Sequence, residues 1–330
     1  MPAHWKSVAA AGVAAVALLL TGCSGPSAAE EAPNTAADDG AWPRTIEHVG
    51  GVTEIPAAPE RIVSTSLTLA GTLLAIDAPI VATATTTPSA ITDENGFFSQ
   101  WADVAVERGV ESLYPNLEFD EEAVIAADPD LIVVSSSGAD STADELEALS
   151  AIAPTIVLDY GANTWQQLAA VLGEATGHED EAADVVASFD AHVAEVADAI
   201  TVPDGTANAI VWNGTENPTA FAKPGSAHTE LLESLGFVVE GAPDEFDTSE
   251  QPRNDFAFLS IENVTTALTG DTVFLVSGGD ETAEDLLATA VLATAPAIAS
   301  GSVVSLGPTS FRIDYYSASQ IVDIVESEFA

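Results

Sequence analysis

Side chains able to carry out covalent or metal chemistry are few and scattered in this sequence of 330 residues. The single cysteine, Cys23, excludes a disulfide framework and a cysteine-rich metal site. The five histidines show no metal-ligand spacing, and the sequence contains no phosphate-binding loop, dinucleotide-binding glycine pattern, zinc-protease motif or nucleophile elbow. An enzymatic function therefore has no support in the residues, although fold alone would not exclude one.

Basic side chains are also rare, with seven Lys and Arg residues against 52 Asp and Glu residues and a formal net charge of −45. This charge excludes a nucleic-acid partner bound through phosphate neutralisation. Hydrophobic residues make up 47% of the chain, too many for a disordered acidic protein, and the length suits roughly two domains. Because Lys is almost absent, adaptation to salt or acid explains the acidity better than function does.

The residues before Cys23 indicate what this cysteine does. Lys6 is followed by an uncharged apolar run over 8–20, too short for the roughly 20 residues of a spanning helix but typical of a signal peptide. Leu20-Thr21-Gly22-Cys23 then resembles a bacterial lipobox. We expect a lipoprotein signal peptide over 1–22, lipidation at Cys23 and a flexible tether over 23–41. An ordinary signal peptide with a chance cysteine is the alternative.

From Trp42 onwards, short apolar runs alternate with helical patterns, as in parallel βαβ units. An unbroken helical pattern at 179–200 separates two such regions, with apolar residues at three- and four-residue spacing. The predicted strands are 61–65, 79–82, 129–134, 154–158, 209–212, 272–276 and 302–306, and the other predicted helices are 67–76, 143–152, 229–235 and 315–329. The pattern predicts an α/β fold of two Rossmann-like lobes, at 42–177 and 202–330, joined by one long helix at 178–201.

Several motifs carry a family resemblance. Three of them are Pro59-Glu60-Arg61-Ile62-Val63, Asp128-Pro129-Asp130-Leu131-Ile132 and Ser260-Ile261-Glu262-Asn263. These resemble signatures of the ABC-transporter substrate-binding proteins that serve iron-siderophores, haem and cobalamin. Further stretches resemble the members of that class that bind ferric enterobactin: Trp42-Pro43-Arg44-Thr45, IVSTSLTLAGTLLAIDAP at 62–79, Gln100-Trp101, Trp165-Gln166 and FRIDYYSA at 311–318.

The resemblance implies a ligand cleft between the lobes, with the connecting helix limiting closure. Elementary topology agrees, since ligands of open α/β sheets lie beyond the carboxyl ends of the strands. The implied function is capture of a ferric, catecholate siderophore by a monomeric, non-enzymatic protein, which delivers it to an ABC permease dimer with its ATPase subunits. Another ligand (a hydroxamate siderophore, haem or cobalamin) and, more distantly, a secreted enzyme on a two-lobed scaffold are the alternatives.

A ferric tris-catecholate is an anion, so the scarce cations of the second lobe are the predicted ligand contacts: Lys223, Arg253 and Arg312. A surface charge or a local ion pair is the alternative for each. Aromatic rings could stack on catechols or on an arginine, and the predicted rings are Trp101, Tyr114, Trp212, Phe311 and Tyr315. Some catecholate-binding relatives place Arg after the strands that end here at 135–137 and 277–278, where this sequence has none. Because the siderophore supplies all six iron ligands, no cofactor or protein metal ligand is expected.

The resemblance also predicts two permease-docking carboxylates. In relatives of this fold each lobe presents a surface Glu to Arg residues of the permease, and the matching motif positions are Glu122 and Glu262. Each is expected near a helix start, where the helix dipole also favours a carboxylate. Local capping is therefore the alternative role.

Overall fold

The computed structural model describes residues 42–250 and 253–330. The predicted signal peptide, Cys23 and the tether lie outside these residues. The described part contains two five-stranded sheets with helices packed against them, and along the chain a long helix separates the strands of one sheet from those of the other. The prediction of a two-lobed α/β fold is therefore confirmed.

The sheet of the first lobe is parallel throughout, with its strands in the order β5-β4-β3-β6-β7. An antiparallel hairpin of β1 and β2 precedes it, and Val49 N of the hairpin donates to Val157 O of the edge strand β7. The strands are β1 (Arg44–His48), β2 (Gly51–Ile55), β3 (Ile62–Ser64), β4 (Ile80–Thr83), β5 (Glu111–Ser112), β6 (Leu131–Ser135) and β7 (Thr155–Leu158).

Polar side chains at the expected positions start several helices of this lobe. Ser66 accepts from the backbone N–H of Leu69, and Thr164 forms a capping box with Gln167. The helices are α1 (Leu67–Ala75), α2 (Ala102–Glu107), α3 (Glu121–Ala126), α4 (Leu146–Ile152) and α5 (Trp165–Thr176). Because Ser66 stands two residues after the end of the buried strand β3, its cap fixes the start of α1 at the carboxyl edge of the sheet.

The connecting helix α6 (Glu179–Ala199) occupies almost the whole range predicted for it. Its buried residues include Phe189, Val193 and Val196, at the helical spacing seen in the sequence. Within the part of the chain that the structure describes, no helix is long and apolar enough to span a bilayer.

The second lobe departs from a purely parallel pattern. Its sheet has the order β10-β9-β8-β11-β12, in which β9 runs antiparallel to both of its neighbours. Only residues 212–218 join β8 to β9, whereas a parallel crossover needs about a dozen residues or more. The elements are β8 (Ala207–Val211), β9 (Thr219–Ala222), α7 (Ala227–Ser234), β10 (Phe256–Leu259), α8 (Ile261–Ala267), β11 (Thr272–Leu275), α9 (Asp280–Ala288), α10 (Pro296–Ser300), β12 (Val303–Ser305) and α11 (Tyr315–Phe329).

One apolar cluster extends through both lobes. It includes Leu73 of α1 and Phe274 of β11, and it passes through buried residues of α6 and α11. The helix α11 packs on α6, and its N-cap residue Asp314 lies against Gly71 of α1. The C-terminal helix is therefore a second connection between the lobes, beside the connecting helix.

Candidate ligand-binding cleft

Segments that follow strand carboxyl ends in the two lobes meet in a cleft. An open cavity of about 440 Å³, counting space continuous with solvent, lies between them. The first lobe contributes Ile91, Phe98 and Gln100, which follow β4. The second contributes residues that follow β11 and β12: Ser277, Pro308, Thr309, Phe311 and Arg312. The cavity thus lies where the strand-end rule places a ligand.

Arg312 is the basic side chain of this cavity. Its guanidinium lies 5.8 Å from the ring centres of both Phe98 and Tyr160, and its Nη1 donates to the Tyr160 hydroxyl at 3.2 Å. Within residues 42–250 and 253–330, Arg312 takes part in no ion pair with a carboxylate. Its positive charge is therefore available to an anion that enters the cavity, within cation–π distance of the two rings.

Lys223 and Arg253 lie together, but each is engaged by a carboxylate. Lys223 Nζ lies 2.8 Å from Asp247 Oδ2 and 2.9 Å from the carbonyl oxygen of Arg253. Arg253 binds Asp255 through two hydrogen bonds, of 2.8 and 2.6 Å. These bonds and the charge of Asp255 outweigh partial burial and raise the pKa of Arg253. The local ion pair, named as the alternative for these two residues, is what the structure contains.

The Lys223 contact also explains the state of Asp247. Burial alone would raise the pKa of Asp247, but hydrogen bonds from Lys223, Ser249 and the backbone of Phe258 outweigh it and hold the pKa well below its usual value. Asp247 is therefore ionised at neutral pH. An anionic ligand at Lys223 must compete with it.

Three of the predicted aromatic contacts require correction. Trp101, Tyr114 and Trp212 are 1%, 3% and 5% exposed, and all three belong to the hydrophobic core. The Tyr114 hydroxyl donates to the carbonyl oxygen of Thr65, and the Trp212 indole donates to Asp285 at 2.7 Å. Because their faces are covered by protein, these rings have no surface on which a catechol could stack.

The remaining two predicted rings, those of Phe311 and Tyr315, lie in different parts of the structure. Phe311 lines the cavity and stacks on Phe256, with ring centres 5.4 Å apart and planes 9° from parallel. Tyr315 instead packs against Trp165 and Phe189, in a cluster formed by α5, α6 and α11. Of the predicted set, the structure therefore brings Phe311 and Arg312 together at the cleft.

Two residues were missed by the sequence analysis: Tyr160, which contacts Arg312, and Asp140, which contacts Tyr160. Tyr160 follows β7, and its hydroxyl donates to Oδ1 of buried Asp140 at 2.7 Å. Burial and the charge of Asp140 raise the pKa of Tyr160 to about 12, so the phenol stays protonated at neutral pH. The strand-end rule alone would have indicated Tyr160, since it stands two residues beyond a clear buried strand.

A second, larger groove suits an anion poorly. It encloses about 800 Å³ of space open to solvent between α5, α6, α7 and α11. Its charged lining residues are the carboxylates Asp190 and Glu230, and no basic residue lines it. An anionic ligand would therefore be repelled there.

Glu122 and Glu262 are both exposed in the first turns of their helices, α3 and α8. Asp120, rather than Glu122, accepts the capping hydrogen bond from Ala123 N. Within the described ranges neither Glu takes part in an ion pair. Among the same residues, no group of three His, Cys, Asp or Glu side chains lies close enough together to hold a metal ion.

Comparison with known proteins shows that nearly the whole chain is similar in sequence to a known binding protein. The family model described as periplasmic binding protein matches residues 62–309. The ferric enterobactin-binding periplasmic protein FepB of Escherichia coli O6:H1 is 41% identical over 318 residues, covering 95% of this chain and 97% of FepB. The probable siderophore-binding lipoprotein YfiY of Bacillus subtilis is 30% identical over 158 residues, covering 46% of this chain and 44% of YfiY.

Solved structures agree with this relation. The crystal structure of holo-ViuP superposes with a TM-score of 0.82 at 41% identity, covering 88% of this chain and 96% of ViuP. A periplasmic solute binding protein from Mycobacterium smegmatis shares the fold, with a TM-score of 0.68 at 23% identity over 86% of this chain and 96% of that one.

Proposed function

The chain belongs to the periplasmic binding protein family, and from this membership we propose that it captures a ferric catecholate siderophore outside the cytoplasmic membrane and delivers it to an ABC importer. The carrying observation is the 41% identity, over 95% of the chain, to a ferric enterobactin-binding protein. The cleft supports the same ligand class, because Arg312, which has no carboxylate ion-pair partner among the described residues, offers a positive charge beside the exposed part of Phe311.

The acidity of the protein does not oppose an anionic ligand. At physiological salt, charges more than about 8 Å apart are largely screened. A ligand in the cleft therefore responds mainly to the cations that touch it. Iron enters as cargo within the siderophore, so the proposal needs no metal ligand from the protein and no catalytic residue.

The proposal extends to the location and partners of the protein. The signal-peptide pattern and the lipobox-like Cys23 support a lipid anchor on the extracytoplasmic face. We propose a permease dimer with ATPase subunits as the receptor and a monomer as the working form. Glu122 and Glu262, exposed and unpaired with any cation in the described residues, are the proposed docking contacts.

Tryptophan fluorescence titration tests the ligand class. Ferric enterobactin should bind more tightly than ferrioxamine, and Fe(III) without a siderophore should bind poorly. Arg312→Ala should weaken ferric enterobactin binding by about 30-fold or more, the equivalent of about 2 kcal/mol, because a desolvated charged contact is lost. Stronger binding of ferrioxamine would overturn the catecholate assignment and leave the family intact.

Arg61→Ala is the matched control. It removes the same charge, but Arg61 lies at the opposite end of β3 from the cleft and binds the carbonyl oxygens of Ala127 and Asp128. The Arg61→Ala protein should bind ferric enterobactin with the affinity of the wild type. An equal loss in both variants would mean that net charge, rather than a contact at the cleft, explains the effect.

A further inference from the structure

A chain of hydrogen bonds crosses from one lobe to the other at the cleft. Arg312 of the second lobe donates to the Tyr160 hydroxyl of the first lobe at 3.2 Å, and that hydroxyl lies 2.7 Å from Asp140 Oδ1. An arginine can only donate, and an ionised carboxylate can only accept. The direction of the hydrogen bonds is therefore fixed: the phenol oxygen accepts from Arg312, and the phenol O–H donates to Asp140.

Asp140, the last residue in this series of hydrogen bonds, is itself fixed by further hydrogen bonds. It is 4% exposed, and its second oxygen accepts from Ser66 Oγ at 2.7 Å and from Thr68 N at 2.9 Å. Ser66 and Thr68 belong to the start of α1. Within the described residues no basic side chain lies within 4 Å of Asp140. The nearest cation along the hydrogen bonds is Arg312, reached through Tyr160.

The backbone beside Tyr160 leaves room for this arrangement. Gly138 has a φ of 79°, in the left-handed region that favours glycine, and a Cβ built on it would lie 1.5 Å from the Tyr160 hydroxyl oxygen. Any other residue at position 138 would therefore displace the phenol. The loop after β6 thus has the one residue type that lets Tyr160 reach Asp140.

A phenol holds Arg312 in a different way from a carboxylate. A carboxylate partner would cancel the guanidinium charge locally, as Asp255 does for Arg253. The neutral phenol accepts one hydrogen bond, leaves the charge in place and leaves the other N–H groups free for a ligand. An arginine already ordered in this way also loses less side-chain entropy when the ligand binds.

We propose that Tyr160 and Asp140 are positioning residues that hold the Arg312 guanidinium at the cleft before ligand binds and thereby raise affinity for an anionic ligand. The affinity part rests on the proposed function, whereas the ordering of Arg312 is a property of the unliganded protein. The two parts can be tested separately.

The first measurement needs no ligand. The chain has five arginines, so the side-chain N–H signals in a ¹⁵N NMR spectrum are few, and Arg312→Lys identifies those of Arg312. We expect separate, slowly rotating Nη signals from Arg312 in the wild type and their collapse in Tyr160→Phe. Tyr316→Phe is the matched control, because the Tyr316 hydroxyl makes no hydrogen bond within the described residues. Unchanged Arg312 signals in Tyr160→Phe would overturn the proposal.

The second measurement is a double-mutant cycle on ferric enterobactin affinity. Tyr160→Phe should weaken binding about tenfold in the wild type and hardly at all in Arg312→Ala, because the phenol acts only through Arg312. A merely structural role would give the same loss in both backgrounds, which would overturn the proposal. Gly138→Ala keeps the hydroxyl but displaces it, and it should reproduce the Tyr160→Phe pattern. A wild type that binds no ferric siderophore would overturn the proposed function alone, since the NMR comparison needs no ligand.

Discussion

At the scale of single residues, the three cations of the second lobe differ in what opposes their charge. Lys223 faces Asp247 and Arg253 faces Asp255, so a ligand anion gains at those sites only by displacing or sharing a carboxylate. Arg312 faces a neutral phenol. Since charge interactions fall with distance and with screening, we expect Arg312 to contribute most of the electrostatic attraction at the cleft.

Asp314 makes stability depend on pH. It is buried, caps α11 by accepting from Ser317 N at 2.9 Å, and accepts from Gln100 of the first lobe at 3.1 Å. Burial outweighs these hydrogen bonds and raises the pKa of Asp314 to about 6. The folded state therefore keeps a proton that the unfolded chain releases near pH 4, and the contribution of Asp314 to the free energy of unfolding falls as pH rises from about 4 to 6.

Asp314→Asn should remove this pH dependence while keeping a good N-cap. Relative to the wild type, the variant should gain about 2–3 kcal/mol in the free energy of unfolding as pH rises from 4 to 6. Urea unfolding of the unliganded protein at several pH values between 4 and 7 measures the difference. Curves that stay parallel for the two proteins would show that Asp314 titrates at an ordinary pKa.

His228 provides a control of opposite sign. Burial lowers its pKa to about 4, against a hydrogen bond to the carbonyl oxygen of Ser310 and the charge of Asp255. Its contribution to stability is therefore present above pH 6.5 and is lost as pH falls towards 4. In the wild type the two contributions partly cancel, so only the comparison with a variant reveals either one.

At the scale of elements, sequence patterns predicted long, strongly apolar segments well. The strand β6, the connecting helix α6 and the C-terminal helix α11 lie within a few residues of their predictions, because their patterns extend over several turns or a whole buried run. The hairpin of β1 and β2 was missed. Only Ile46 and Ile55 of its ten strand residues are buried, so the strands lack the apolar signal of a covered sheet.

The site was predicted only in part, for a physical reason. Residue type marks Arg312 as an anion contact, but it cannot separate an aromatic ring in the core from one at a cleft, and Trp101 was therefore misplaced. Tyr160 and Arg312 are 152 positions apart in the sequence and meet only because β7 and the segment after β12 end at the same cleft. Such a pair depends on the placement of the lobes, which local patterns do not contain.

The contact between α1 and α11 is tight enough to test at Gly71. A Cβ there would lie 2.6 Å from Asp314 Oδ2 and 2.9 Å from Trp101 Cδ1. Alanine is the better helix former by about 1 kcal/mol, but overpacking a buried contact costs about 1–3 kcal/mol, so the two opposing effects are of similar size. Because two neighbours must move, we expect Gly71→Ala to lower the free energy of unfolding in urea by about 1 kcal/mol.

Gly279 is the control position for this substitution. A Cβ there meets no atom within 4 Å, and its backbone does not require glycine. Gly279 is the N-cap of α9, where alanine is disfavoured, so Gly279→Ala should cost about 0.5 kcal/mol through the cap alone and nothing through packing. A Gly71→Ala protein as stable as the wild type would mean that α1 and α11 separate without cost.

At the scale of the whole molecule, the shared apolar cluster limits how far the lobes can move. Closure over a ligand must shift residues of α1, α6 and α11 that pack in one continuous core. Close-packed interiors resist such displacement. We therefore expect small closure, so that the permease recognises a nearly fixed spacing between the two lobes.

If the spacing between the lobes is nearly fixed, one carboxylate on each lobe can contact the permease at the same time. Glu122 and Glu262 are exposed on opposite lobes, and Asp120 already caps the helix that carries Glu122. Each stands among many other acidic residues, so net charge cannot single it out. Glu121 and Glu281 are matched controls, since both are exposed in the first turns of helices, one in each lobe.

Glu122→Ala and Glu262→Ala should leave siderophore affinity unchanged and sharply reduce ligand-stimulated ATPase activity of the reconstituted transporter. Reversal to Lys should be worse than Ala, because the proposed docking role pairs each Glu with an arginine of the permease, which would then meet a like charge. Glu121→Ala and Glu281→Ala should keep full activity, which separates docking from the general effect of a carboxylate at a helix start. Full transport by the double variant of Glu122 and Glu262 would remove both from the docking surface, and a loss of thermal stability equal to that of a lost cap would assign them to capping instead.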